Sequence, residues 1–395
     1  MQFFSKARRL ARVLKPQVLI NSAADRQLLS SDFQFVVAPQ SLHQWQNHQS
    51  FSFYAVSGND LQMVRHPIYL RTGNASFCTE ANTVESTPTE AVKELYDKIL
   101  DSVNVKRTMS PNAWLWSLIS NCKNHEDIKL LFDTLQNLRR FRLSNLRIHS
   151  DFNSHLCREV SKACARVGAI DFGKKLLWKH NIYGLTPDIV SVNQLLAYAK
   201  EHNDLKLMVE VMKLVKKNDI SLAPSVADNV LSICYNAGNW PLMLKYSKNF
   251  VKGGVKLRKS AFDMWMDFSI KRGDTESLWR VEKLRSELWE QHTLVSGFSC
   301  AKGLILEHKP EDAAAVIQVL DQSLPDTKKP GIVVELQKLV GEWPLDVVKH
   351  QPEDKRKELA AALKSDIPAM VTGLIQMGIE ANVNLEDLTS KELTS

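Results

Sequence analysis

Gly168, Asn203, Gly238 and Gly273 stand 35 residues apart, and a further step of 35 reaches His308. Their surroundings match: CARVGAID, AKEHNDLK, CYNAGNWP, SIKRGDTE and LILEHKPED. In each, an apolar stretch precedes a small or polar turn and a second apolar stretch follows it. Self-similarity at this period constrains the fold more than any other feature of the chain. A unit so short cannot bury a hydrophobic face alone, so the pattern predicts stacked helical hairpins, each completed by its neighbours.

The turn chemistry predicts two helices per unit. Asp171, Asp204, Asp274 with Thr275 and Glu276, and Glu311 with Asp312 follow the markers. Short side-chain oxygens satisfy the free N–H groups of a first turn, and carboxylates suit its positive end. Pro241 and Pro310 fall just past their markers, where a missing N–H costs nothing. Apolar residues recur at helical spacing between the turns, as in Val192, Leu195, Leu196 and Ala199. A further hairpin, Trp114 to Leu138, lies out of phase ahead of the series, and the basic run RRFRLSNLRIHSDF reads as a long connection after it.

Residues 154–188, SHLCREVSKACARVGAIDFGKKLLWKHNIYGLTPD, resemble a pentatricopeptide repeat, with Cys164 and Gly168 at mid-hairpin and Gly184, Pro187 and Asp188 at the end. IVSVNQLLAYAK, from Ile189, is similar to the opening helix of the next repeat. The period of 35 and the Gly-x-x-Pro-Asp ending separate this type from tetratricopeptide repeats, whose period is about 34. The resemblance covers roughly residues 110–325 and implies an all-α, right-handed solenoid of 35-residue helix-turn-helix repeats with terminal capping helices.

The expected organisation is a transit peptide over 1–77, a linker and capping helix over 78–108, repeats over 109–325, and a C-terminal helical cap with a polar tail over 326–395. The first 77 residues hold six Arg, two Lys and three Asp, with no Glu before Glu80. MQFFSKARRLARVL reads as an Arg-rich amphipathic helix, the composition of an organelle transit peptide. The junction Ala75-Ser76-Phe77-Cys78 resembles a plant mitochondrial processing site cut after Phe77. The expected location is the mitochondrial matrix, with the chloroplast as the alternative. Thr89 is expected to start a helix through Val103, EDKRKELAAALKS to form an exposed helix, and Pro368 to separate it from a last apolar one.

Charge is spread unevenly. Residues 135–300 carry 26 Lys/Arg against 16 Asp/Glu, a net of +10, whereas 301–395 carry 11 against 16, a net of −5. Positive charge on the best repeats is expected of a surface that meets a polyanion. Six cysteines form no C-x-x-C pair, which leaves zinc and redox motifs without support. No apolar run reaches the length of a membrane span, so a soluble protein is expected. The phosphate-cradling, H-E-x-x-H, G-x-S-x-G and zinc-deaminase signatures are all missing, and neither an enzyme nor a cofactor is expected.

Repeats of the resembled family read one base each through the fifth residue of the first helix and the last residue of the unit. With each marker as the fifteenth residue, Arg158, Asn193, Asp228, Asp263 and Phe298 take the fifth place and Asp188, Ala223, Arg258 and Thr293 the last. Arg158 with Asp188 and Asn193 with Ala223 are not standard reading pairs. Candidate phosphate contacts are Arg139, Arg140 and Arg142 in the expected connection, with Lys174, Lys175, Lys216, Lys217, Lys248, Lys252, Lys256 and Lys259 along the repeats. The tryptophans, Trp178 among them, serve either as stacking platforms or as inter-repeat packing. The expectation is an RNA partner, structured or ribosomal, held by charge and shape, with ribosomal proteins as further partners. A transcript-specific factor and a protein scaffold are the alternatives.

Overall fold

The structure is a computed structural model that describes residues 87–144, 149, 151–325, 327, 329–379 and 383–385. The expected transit peptide lies outside the described residues, as do Cys78 and Arg147. Sixteen helices and no strands occur among them. They are α1 (Glu90–Asn104), α2 (Asn112–Asn121), α3 (His125–Ser144), α4 (Phe152–Val167), α5 (Ile170–Leu176), α6 (Ile189–Glu201), α7 (Leu205–Lys217) and α8 (Pro224–Asn236). Then come α9 (Trp240–Lys252), α10 (Lys259–Lys271), α11 (Thr275–Leu288), α12 (Leu294–Leu306), α13 (Pro310–Ser323), α14 (Pro330–Gly341), α15 (Trp343–Lys349) and α16 (Glu353–Gln376). No helix among the described residues is long and apolar enough to cross a membrane.

The period holds to the residue. The second helices start at Ile170, Leu205, Trp240, Thr275 and Pro310, and the first helices α6, α8, α10 and α12 start at Ile189, Pro224, Lys259 and Leu294, all in steps of 35. Each marker ends a first helix in the left-handed region, with φ of 79° at Gly168, 50° at Asn203, 61° at Gly238, 68° at Gly273 and 57° at His308. The N–H of the following residue then reaches the carbonyl five back, from Ala169 to Cys164 (2.9 Å), Asp204 to Ala199 (2.8 Å), Asn239 to Cys234 (3.0 Å), Asp274 to Ser269 (2.9 Å) and Lys309 to Leu304 (2.9 Å). This closure satisfies carbonyls the helix leaves open and reverses the chain at once. Asp204, Asn239 and Asp274 then accept from the backbone N–H three residues on, at 2.9, 3.1 and 2.8 Å, and so start the second helix.

A second left-handed register, Gly184, Asp219 and Gly254, turns the chain between units and is likewise spaced by 35. It lapses at Trp289, which is extended. The first helices stack side by side from α4 to α12, and each second helix packs on its own partner. Burial divides into one cluster that runs from Val92 to Leu185 and a larger one that runs from Leu177 to Leu374. Phe250, Phe262 and Phe298 are among the largest buried side chains, each worth roughly 1.5–3 kcal/mol of burial.

Two expectations change. Arg139, Arg140 and Arg142 belong to α3, which runs to Ser144, so the long connection begins only after that residue. The continuation is held by Leu135, Leu138 and Arg142, all buried. Pro368 does not divide the C-terminal helix: α16 passes through it without a break. Ala360, Leu363 and Ile367 before it and Met370, Val371 and Leu374 after it form one buried stripe, whose packing outweighs the roughly 3 kcal/mol that an interior proline costs. Earlier in the chain, α5 is a helix of only seven residues, and an irregular segment follows it. Asn181 organises the chain there, donating to the carbonyls of Trp178 and Leu185 and accepting from the N–H groups of Tyr183 and Leu185.

Thr89 starts α1 through backbone geometry, while its N–H and hydroxyl donate to buried Asp127 at 2.7 and 2.8 Å. At the other end α16 packs on α13 as the next layer, while α14 and α15 lie against α12 and α10. Gln351 donates to the carbonyl of Arg272 at 2.9 Å and so ties this returning segment to the turn at Gly273.

Candidate nucleic-acid interface

The fifth and last places meet in space in three of the units. Arg158 donates to Asp188 in a close ion pair, Arg258 donates to Asp228 at 3.0 Å, and the Thr293 hydroxyl donates to Asp263 at 2.5 Å. Each pair is 30 residues apart in sequence, the separation that the repeat assigns to the two places. Asn193, whose last-place counterpart Ala223 offers no side-chain hydrogen bond, donates to Ser225 at 2.7 Å and accepts from Asn229 at 3.3 Å. The candidate base-reading groups therefore lie in register and have hydrogen-bond partners within the protein.

The helix caps reinforce this closure. Asp188 is the N-cap of α6 and accepts from Ser191 N–H at 2.9 Å. Burial pushes its carboxyl upward, but the donors from Ser191, Arg158 and Ser154 outweigh that and hold it below the usual carboxylate range. Thr293 is both the partner of Asp263 and the N-cap of α12, in a capping box with Ser296. Burial raises the Asp263 carboxyl above its ordinary value, against the hydrogen bond from Thr293. Further along the same face, Tyr235 donates to Asp267 at 2.5 Å, and Lys271 meets both at 2.6 and 3.0 Å.

The series ends where α14 and α15 arrive. Phe298, at the fifth place of the last unit, is buried, as is Lys302 one turn on. The Lys302 ammonium lies 6.0 Å from the Trp343 ring and has no carboxylate partner among the described residues. Burial lowers its pKa from the ordinary lysine value.

The candidate phosphate contacts separate into four groups. Arg142 is a correction: it is 2% exposed, and its guanidinium donates to Asn153 and to the carbonyls of Leu135 and Tyr183. It braces the end of α3 and has no surface to offer. Lys174 is committed to Asp171 and Glu210, at 2.9 and 2.8 Å. Lys175, Lys217 and Lys259 lie over the rings of Phe172, Trp178 and Trp289, at 4.5, 4.4 and 5.3 Å. Arg139, Arg140, Lys216, Lys248, Lys252 and Lys256 are exposed.

Sequence reasoning missed Ser225 and Asn229, the partners of Asn193, and the cluster of Glu282, Arg285, His292 and Cys300. Glu282, His292 and Cys300 are of metal-ligand type and their donor atoms lie within 4.8 Å of one another. Buried Arg285, however, donates to both Glu282 oxygens at 2.7 and 2.8 Å and sits 3.0 Å from His292 Nε2. A guanidinium already occupies the place a cation would take. Burial pushes the Cys300 thiol well up, so it stays protonated. Arg285 also donates to the carbonyls of Trp289 and Gln291, which makes the cluster a brace between α11 and α12.

These turns, caps and register fix the fold. The chain is an all-α array of 35-residue helical-hairpin repeats. Among solved structures it is similar to the pentatricopeptide repeat protein PPR10 from maize, with 13% identity and a TM-score of 0.36 over 76% of this chain and 45% of that one. The chain thus spans less than half the length of that protein. No protein-family model and no curated protein matches the sequence. The 35-residue register rests on five left-handed markers and two series of helix starts in steps of 35.

Proposed function

We propose that this protein is a non-catalytic RNA-binding repeat that holds RNA by charge and shape rather than by reading bases, and that it works in the mitochondrial matrix as a ribosome-associated or structural component of translation. The mutual pairing of the fifth and last places carries this reading: Arg158 with Asp188, Asp228 with Arg258 and Asp263 with Thr293. A base would have to break an ion pair, or at Asp263 a hydrogen bond, to be read there. The net charge of +10 over residues 135–300 remains available to phosphates. The Arg-rich, Glu-free first 77 residues support import.

The test is sedimentation of the full chain from purified mitochondria, with and without ribonuclease, together with N-terminal sequencing of the organelle form. Co-migration with ribosomal particles that ribonuclease abolishes, and a mature N-terminus near Cys78, are the expected results. An intact Met1 recovered from mitochondria refutes the import step. Co-migration that survives complete ribonuclease digestion turns the reading to a protein scaffold.

A further inference from the structure

The acids of the first-helix face are largely neutralised by the pairs described above, so the positive surplus must lie elsewhere. The second helices carry it. In α7, α9 and α11 the same four places are exposed in every helix: 206/241/276, 210/245/280, 213/248/283 and 217/252/287. These twelve positions hold eight basic residues against three acids, Glu210, Glu276 and Glu287. Glu276 pairs with Arg280 at 2.7 Å and Glu210 with Lys174 at 2.8 Å.

One row of the four contains no acid. Lys213, Lys248 and Lys283 occupy the same place in three successive units, and none of them has a carboxylate partner among the described residues. The place is mid-helix or later on the solvent side, opposite the stripe that buries Val211, Tyr246 and Val281. One unit earlier the same place is Trp178, which is 38% exposed with the Lys217 ammonium 4.4 Å from its ring centroid. Most tryptophans of this protein are more deeply packed. An exposed indole at the head of an all-lysine row combines a stacking platform with a track of unneutralised ammonium groups, the two ingredients of single-strand binding.

We infer that Trp178, just past the end of α5, and the row Lys213, Lys248 and Lys283 on α7, α9 and α11 form the RNA contact surface: the lysines take successive phosphates of a single strand and Trp178 stacks a base. This placement rests on the RNA-binding reading and goes beyond it, because it moves the contact off the first-helix face.

The test is a salt titration of the full chain with two unrelated single-stranded oligoribonucleotides and with inorganic polyphosphate. The triple variant K213Q/K248Q/K283Q should bind both RNAs roughly tenfold or more weakly, and should flatten the log–log salt slope by about 2, at roughly 0.7 per lost phosphate contact. The corresponding Lys→Arg triple variant should keep both affinity and slope. Trp178→Leu should weaken RNA roughly fivefold or more while leaving polyphosphate unchanged, since polyphosphate has no base to stack. Circular dichroism confirms that these surface variants fold. If the triple Gln variant binds like the wild type while R158Q/R258Q loses affinity, the contact lies on the first-helix face and the inference is wrong. Equal displacement of RNA by polyglutamate at matched charge overturns it in favour of an acidic protein partner. Absence of any RNA affinity in the wild type at low salt overturns both this placement and the function it rests on.

Discussion

Equivalent turns in different units let one perturbation be compared at several sites, with different outcomes expected from their surroundings. At Gly238, φ is 61° and a Cβ would meet nothing within 4 Å. Alanine there costs only the backbone: about 1–2 kcal/mol for a left-handed L-residue, less about 0.4–1 kcal/mol regained from the restricted unfolded chain. The net is about 1 kcal/mol. At Gly273, φ is 68° and a Cβ would come within 2.4 Å of Gln351 Nε2, the atom that donates to Arg272. Gln351 must move, and its hydrogen bond adds about 1 kcal/mol to the backbone term, for a total of about 2 kcal/mol. Asn203→Gly should change stability by less than about 0.5 kcal/mol, because asparagine tolerates this conformation and glycine loosens the unfolded chain. Urea unfolding followed by far-ultraviolet circular dichroism gives the order, with hydrogen exchange at the two turns to localise it, since a repeat array loses its units in stages. A Gly238→Ala variant as stable as the wild type, or one as damaged as Gly273→Ala, would refute the assignment of these residues to equivalent left-handed turns.

Three more outcomes follow from buried polar groups. Asp127 accepts hydrogen bonds from the N–H and hydroxyl of Thr89 and from the N–H groups of Lys123 and Asn124, and these donors outweigh its burial and hold the carboxyl below the usual range. A depressed folded pKa means stability that is full above the unfolded value of about 4 and is lost as pH falls through the folded one. Asp127→Asn should therefore cost about 2 kcal/mol at neutral pH, with the difference vanishing in acid and with α1 losing hydrogen-exchange protection first. Arg142→Met should destabilise by about 1–3 kcal/mol, because the carbonyls of Leu135 and Tyr183 lose their donor, yet leave the salt slope of RNA binding unchanged. Lys302→Met should raise stability by about 1–2 kcal/mol near pH 7. Its lowered pKa places the penalty below the folded value, so the gain should shrink as the wild type is titrated alkaline.

The fold was legible because the signal was local and repeated. A reversal at the end of a first helix needs one residue with positive φ and a short oxygen soon after it, and both leave their mark in sequence at Gly238-Asn239 and Gly273-Asp274. Even at His308, where the marker is neither glycine nor asparagine, the period points to the turn and the residue adopts it. What failed was punctuation that tertiary packing overrides. Pro368 marks a break in any isolated helix, but buried stripes on both sides carry α16 through it. Arg142 reads as part of a basic linker, and only the contact with Tyr183, 41 residues away, turns it into an interior brace. The course of α14 and α15 against α12 and α10 has no local signature at all.

The candidate site was legible in register and illegible in state. Adding 30 to the fifth place gives the last place, and Arg158 with Asp188 or Asp228 with Arg258 could have been recognised as opposite charges at that separation. Whether such charges face a ligand or each other depends on whether their side chains reach across the unit, which sequence spacing does not give. The structure shows that they do reach, and the consequence extends beyond these pairs. Each acid of the first-helix face that binds a cation removes charge of both signs from it, so a surplus measured over the whole segment is displaced towards the second helices. Lys213, Lys248 and Lys283 are among the residues without a carboxylate partner among the described residues, and they stand in one row because the same period that sets the turns also sets the spacing of exposed places. A repeat that gives up base reading on one face can thus retain an ordered track for phosphates on another.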